Sequence, residues 1–143
     1  MKKTYIDIAY DLALKAFEKD EVPVGCVIVK NNKIISKAYN KKEGWNDPTG
    51  HAEIIAIRRA ANKLKSWRLE GCDLYVTLQP CDMCFFAIKE SRITNVYFGA
   101  KDNKSSSLFI NDTSQKKVLK INYLSHKMSS KIVKDFFKTK RLK

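Results

Sequence analysis

No part of this 143-residue chain carries an apolar run approaching ~18 residues, so no transmembrane helix is expected. The N-terminus, MKKTYIDIAYDLALKAFEKD, starts basic, as a secretory leader does. But Asp7 and Asp11 interrupt its apolar part and no small-residue cleavage site follows. It reads as a helix of the mature fold in a cytoplasmic protein. There is no internal repeat and no sign of a second domain; the length suits one domain, residues 1–143, with a core of its own. Acidic residues are scarce, 15 against 28 Lys and Arg, for a formal charge of +13. Residues 101–143 hold 12 of the basic residues and only 3 of the acidic ones. That imbalance suggests a polyanionic partner, most simply nucleic acid; lysine favoured by solubility or base composition is the alternative. Cysteines number four. In a secreted chain they would suggest two disulfides, whereas a C-x-x-C with a histidine upstream in a cytosolic-looking chain favours a metal.

Apolar periodicity supplies the framework. Thr4, with Asp7 three residues on, makes a capping-box-like start. Tyr5, Ile8, Ala9, Leu12, Ala13 and Ala16 then recur at helical spacing to about Lys19. Residues 22–30 and 34–39 are β-rich, and Asn31-Asn32 between them suits a tight hairpin. Pro23 belongs at a strand start or edge, Gly25 marks a bulge or a close backbone approach, and Cys26 reads as a small buried residue. After the turn-rich NKKEGWNDPTG of 40–50, a helix is predicted over 51–64 and a strand over 72–78. A helix from near Pro80 to about Glu90 follows, then a strand over 94–99. Residues 101–117 read as a loop and 118–123 as a further strand. Met128, Ile132, Val133, Phe136 and Phe137 line one side of a basic C-terminal helix over about 125–141. The order predicts helices covering a mixed sheet.

Two short motifs carry the chemistry: His51-Ala52-Glu53 and Pro80-Cys81-Asp82-Met83-Cys84. One imidazole and two thiolates form a three-ligand zinc set that leaves the fourth tetrahedral position to water, the mark of a catalytic rather than a structural zinc. Zinc lowers the pKa of that water towards neutrality and makes hydroxide available as a nucleophile. His51 and Glu53 stand roughly 200° apart around an ideal helix, so they share a site only if the metal sits at or beyond the helix N-terminus. Cys81 and Cys84, three apart in the first turn of the next helix, lie on one face. Two electropositive helix starts facing one metal favour thiolate and hydroxide. His51, Cys81 and Cys84 are therefore the predicted zinc ligands, and Glu53, not a ligand, the proton carrier. Taken singly, the C-x-x-C could be half a structural zinc site or a redox pair, and the histidine a helix cap. Cys72 has no metal-type spacing to another ligand and stays outside the site.

On these motifs the sequence resembles the zinc-dependent deaminase superfamily, and within it the bacterial tRNA-specific adenosine deaminases. The likeness covers nearly the whole chain: Glu21-Val22-Pro23-Val24-Gly25, Tyr39-Asn40, Asp47-Pro48-Thr49, Tyr75-Val76-Thr77-Leu78, Ser91-Arg92-Ile93, Phe98-Gly99-Ala100 with Asp102 and Lys104, and Asp135-Phe136-Phe137. The HAE and PCxMC pieces are shared by several deaminases; FGA-x-D-x-K and the basic residues after DFF point to the tRNA branch. The resemblance implies a cytidine-deaminase-like three-layer α/β/α sandwich with a mixed, about five-stranded sheet, one zinc per subunit and a homodimer. It implies hydrolytic deamination of adenosine to inosine at the wobble position of an arginine tRNA, through a zinc-activated hydroxide. It also implies that Asn40 and Pro80 belong to the substrate pocket, with Asn40 hydrogen-bonding the flipped base, and that Asp102 touches a neighbouring ribose. Phe137, Lys138, Lys140 and Arg141 would contact the tRNA anticodon stem-loop. From the residues alone, Asn40 could equally cap or turn its loop, and Asp102 could be an ordinary loop acid. At least one of Phe136 and Phe137, Phe136 first, belongs to the core.

Three positions depart from the family pattern. Gln79 stands where glutamate usually precedes Pro-Cys, which should tune rather than abolish activity. Gly50 replaces a usual alanine and is expected to loosen the start of the zinc helix. Ser105, Ser106 and Ser107 replace a glycine-containing stretch. Two other readings stay open. A deaminase of a free base or nucleotide, such as guanine or a cytosine derivative, would use the same zinc core but has no need of a basic, aromatic C-terminal helix. A non-catalytic, zinc-stabilised RNA-binding protein has no need of Glu53.

Overall fold

The computed structural model describes residues 3–102 and 119–141. Helix α1 (Tyr5–Glu18) begins with a reciprocal capping box, in which the Thr4 hydroxyl accepts the Asp7 N–H and the Asp7 carboxylate accepts the Thr4 N–H. Strands β1 (Gly25–Lys30) and β2 (Lys33–Tyr39) form an antiparallel hairpin. Asn31 and Asn32 both take positive φ at its two-residue turn, a conformation asparagine tolerates. The strand starts at Gly25, three residues later than its β-rich composition suggests. Pro23 offers no N–H, and the chain turns there on a bond from the Val24 N–H to the Val22 carbonyl.

The remaining elements are α2 (Ala52–Leu64), β3 (Cys72–Leu78), α3 (Asp82–Glu90), β4 (Asn95–Ala100), β5 (Lys120–Tyr123) and α4 (Lys127–Arg141). Helix α3 begins two residues after Pro80, because Cys81 takes the extended N-cap conformation. Helix α4 begins two residues later than expected. Val118, the expected first residue of β5, lies outside the described residues, as do the loop beyond Asp102, Lys104 and Ser105 to Ser107.

The five strands lie in the order β2-β1-β3-β4-β5. Strand β1 is antiparallel to β2 and β3, whereas β3–β4 and β4–β5 are parallel. Side-chain alternation along β1 feeds both faces. Cys26 and Ile28 pack with Ile55 and Ala56 of α2 and with Phe85 and Ile88 of α3. Val27 and Val29 pack with Ile6, Ala9 and Leu12 of α1. Helix α4 lies beside α1 and buries Ile132 and Phe136. The result is the expected three-layer α/β/α sandwich on a mixed sheet. Register places Val76 opposite Cys26 and Phe98, and Gly25 opposite Tyr39. Asn40, Gln79 and Lys101 therefore all leave the sheet at one edge, which gathers their loops together. Among the described residues, no helix is long and apolar enough to cross a membrane.

Gly25 fulfils the close-approach reading: a Cβ there would lie 1.9 Å from the Ala9 carbonyl and 2.8 Å from the Ala13 nitrogen. The bulge sits elsewhere, between Ile28 and Val29. Because both obstacles are backbone, Gly25→Ala should cost about 3 kcal/mol or more of stability, measured by urea unfolding. A loss below about 1 kcal/mol would mean that α1 can shift off the sheet without penalty.

Candidate metal and catalytic site

His51 is the N-cap of α2 and Cys81 the N-cap of α3, both in extended backbone conformation, and neither side chain caps its own helix. Both are instead turned to one point, together with Cys84 from the first turn of α3. The His51 Nδ1 lies 3.7 Å from the Cys81 Sγ and 3.5 Å from the Cys84 Sγ. All three donor atoms lie within 4.8 Å of one another. Around a tetrahedral zinc with bonds of about 2.3 Å to sulfur and about 2.0 Å to nitrogen, such donors would stand about 3.6 Å apart. The donor set therefore fits zinc in chemistry and in spacing. All four cysteines are free thiols, and Cys26 and Cys72 are buried in the core.

The protons of the cluster are distributed as in an imidazolium–thiolate pair. Hydrogen bonds from Cys84 and then from His51 pull the Cys81 thiol down to about 4. Donation to Cys81 holds Cys84 protonated, and the bond to Cys81 raises His51. A divalent cation would replace these protons. Glu53, in the first turn of α2, is buried and feels the charges of His51 and Cys81. Desolvation, only partly opposed by hydrogen bonds and His51, pushes its carboxyl up to about 7. A buried acid poised near neutrality beside a metal-ligand cluster is suited to carrying protons in both directions.

The Asn40 side chain is bound at the edge of this cluster. Its Oδ1 accepts the Ala52 N–H at 2.7 Å, capping the helix that His51 leaves uncapped. Its NH₂ group is the part left to meet a ligand. Pro80 is buried immediately before Cys81. Asp102 is half-buried, and its N–H donates to the Gln79 Oε1 at 3.1 Å. The Gln79 N–H in turn donates to the Ala100 carbonyl at 2.8 Å, so two bonds tie the segment before Cys81 and Cys84 to the segment holding Asp102. Gly50 is packed tightly: a Cβ would lie 3.1 Å from the Lys42 backbone. The expected loosening is therefore offset by a closer turn.

A groove of about 560 Å³ runs from Asn40 past Glu21 and Lys42 to Phe136 and Lys140 of α4. Lys140 Nζ pairs with Asp20 Oδ2 at 2.6 Å. Phe136 is core and stacks edge-on to Phe17, whereas Phe137 and Lys138 are exposed. Phe137 and Lys138 do not line this groove, and the Arg141 side chain lies outside the described residues. The sequence reading missed Glu21 as a functional part. Its buried carboxylate accepts the Glu43 N–H at 2.9 Å and the Gly44 N–H at 2.7 Å, bracing the loop that begins at Asn40. Sequence spacing offers no signal for it, because its partners lie 22 and 23 residues away.

Known proteins resemble this chain in sequence and fold. A family model described as MafB19-like deaminase matches residues 2–141. A tRNA-specific adenosine deaminase of Aquifex aeolicus (strain VF5) is 42% identical over 145 aligned positions, covering 98% of this chain and 96% of that protein. A solved structure from work on A-to-I editing by tRNA:A34 deaminases at the wobble position of transfer RNA superposes with a TM-score of 0.83 at 37% identity, covering 90% of this chain and 97% of that one. Guanine deaminase from Bacillus subtilis superposes with a TM-score of 0.68 at 28% identity, over 100% of this chain and 96% of that chain.

The raised Glu53 carboxyl has a consequence for the metal-stripped protein. Between about pH 4.5 and about 7 the native state keeps a proton that the unfolded chain has lost, so this group's contribution to stability falls as pH rises through that window. Glu53→Gln should remove the slope. It should match its parent near pH 4 and exceed it above pH 7 by roughly 3 kcal/mol at most. Chemical unfolding of metal-stripped samples across this range is the measurement, and parallel curves for the two proteins would refute the assignment.

Proposed function

Since the chain belongs to the tRNA-specific adenosine deaminases of the zinc-dependent deaminase superfamily, we propose that it converts adenosine to inosine at the wobble position of an arginine-tRNA anticodon. The observation that carries the reading is the meeting of His51, Cys81 and Cys84 at one point, with the buried Glu53 carboxyl two residues from His51 in the first turn of α2. His51, Cys81 and Cys84 would hold one zinc per subunit. Bound there, zinc would supply the Lewis acidity that makes water a nucleophile at neutral pH. Glu53 takes one proton from the attacking water and delivers it to ring N1, then takes the proton of the new C6 hydroxyl and delivers it to the departing amine. The C6–N bond breaks as C6 becomes a carbonyl, and ammonia leaves.

Asn40 donates through its NH₂ to the flipped base, with Pro80 forming the adjoining wall. Asp102, held by Gln79, meets a neighbouring ribose. Phe137, Lys138, Lys140 and Arg141 engage the anticodon stem-loop, where aromatic rings stack on splayed bases and cations meet phosphate. A homodimer in the cytoplasm completes the proposal. The exposed Met83 and Phe86 on α3 offer apolar surface, beside the cysteines, for the subunit contact.

The test is product analysis on an arginine-tRNA anticodon stem-loop beside guanine, cytidine and free adenosine. Inosine should appear in the RNA alone, at the wobble adenosine. Ammonia released from guanine or cytidine would overturn the reading in favour of a small-substrate deaminase. Glu53→Gln should lower kcat by about 10²–10⁴-fold with zinc content unchanged, measured by metal analysis and turnover on the same sample. Because Phe136 is core, truncation should begin at Lys138. Removing residues 138–143 should raise KM for the stem-loop by roughly tenfold or more with the fold retained, and an unchanged KM would dismiss the tail as an RNA contact.

A further inference from the structure

His126 links α1, β4 and α4 through its ring and its backbone N–H. Its backbone N–H donates to the Gly99 carbonyl of β4 at 2.7 Å. Its ring Nδ1 lies 2.7 Å from the Ser129 Oγ and accepts the Ser129 N–H at 3.3 Å, so the imidazole occupies the N-cap of α4. With Nδ1 accepting, the proton sits on Nε2, which lies 3.0 Å from the Asp7 Oδ1 of the α1 capping box. Carboxylate, imidazole and hydroxyl stand in the order of a hydrolase relay. Ser129, however, has no exposed surface, so the row is a strut and not a nucleophile. The fit on β4 is close: a Cβ on Gly99 would lie 2.8 Å from the Ser129 Oγ and 3.1 Å from the His126 Cβ. That contact accounts for the glycine three residues before Asp102.

We propose that His126 is a positioning residue for RNA binding: clamped between Asp7 and Ser129, it fixes the angle at which α4 leaves the sheet and hence where Phe137, Lys138 and Lys140 meet the anticodon loop. This rests on the RNA-deaminase reading. Lys140 lies 14 residues along the helix from His126, about 20 Å at 1.5 Å per residue. A tilt of roughly 10° at the first turn would carry that end by about 4 Å, more than the length of a hydrogen bond. His51, Cys81 and Cys84 stand at the starts of α2 and α3, on the other face of the sheet from α1 and α4, so such a tilt leaves them and Glu53 in place.

The test compares His126→Ala, Asp7→Ala, the double variant, Asp7→Asn and Thr4→Ala. KM for the arginine-tRNA stem-loop should rise roughly 5- to 10-fold in His126→Ala, the loss of about one hydrogen-bonded link, with kcat within about twofold and zinc content unchanged. The double variant should be no worse than the worse single one, because both remove the same link. Asp7→Asn, whose Oδ1 still accepts from Nε2, should keep the parental KM. Thr4→Ala, which loses the α1 cap but not the link, should do the same. Hydrogen exchange should quicken at the amides of α4 in His126→Ala and in Asp7→Ala but not in α2 or α3. Faster exchange with an unchanged KM would overturn the positioning role, and unchanged exchange would overturn the clamp itself. A fall in kcat with loss of zinc would also overturn it, since the effect would then be general. A parent protein inactive on the stem-loop refutes the RNA reading before any variant is made, and exchange still decides whether the clamp exists. Should His126→Ala fail to fold, Asp7→Ala serves as the second probe of the same bond.

Discussion

Two helix N-caps given to side chains that do not cap are the constraint on which the site depends. His51 and Cys81 leave the exposed N–H groups of α2 and α3 to other partners, and each is turned towards the shared metal point. A helix start normally loses about 1 kcal/mol without its cap. For α2 the loss is made good by Asn40, whose Oδ1 takes the Ala52 N–H. Asn40 and His51 are therefore mechanically coupled: the bond that steadies one steadies the other. The sheet makes this possible, because β1, pairing antiparallel with β2 and with β3, brings the exit of β2 at Asn40 and the exit of β3 at Gln79 to the same edge.

The surroundings of the cluster are held by buried polar groups spent on backbone. Glu21 binds two N–H groups of the loop after Asn40, and Gln79 binds the N–H of Asp102. No buried side-chain nitrogen or oxygen among the described residues lacks a partner, so these loops are fixed rather than merely covered. The departure at Gln79 from the family's glutamate is intelligible on the same terms. The bond to Asp102 needs an acceptor oxygen, which an amide supplies without a negative charge beside the thiolates.

How much of this was legible in sequence differs from residue to residue. The cluster of His51, Cys81 and Cys84 was legible because two-residue and three-residue spacings at helix starts leave few other geometries. The layers were legible from the apolar, β-rich run of β1 and from the 3.6-residue rhythm of α1, although Ile6 is buried where Tyr5 and Ile8 are only half-buried. Element starts shifted by two or three residues at Pro23 and Pro80, where a missing N–H and an extended N-cap postponed regular structure. Asn40 was read as either a cap or a ligand, and its two amide atoms allow one side chain to serve as both. Glu21, the Gln79–Asp102 bond and the Asp7–His126 pair left no trace, because side-chain bonds to distant backbone or across 119 residues have no sequence period.

The depressed Cys81 thiol bears on how the protein ages. A half-exposed sulfur whose thiol is lowered by Cys84 and His51 is the kind that peroxide attacks first, and with Cys84 one helical turn away a sulfenic acid formed there would have a thiol at hand to close a disulfide. Filling the site with a metal would tie up both sulfurs at once. If a metal fills this site, its occupancy and the resistance of these thiols to oxidation would be one property, and metal loss would expose the site to chemical damage that restoring the metal alone would not reverse.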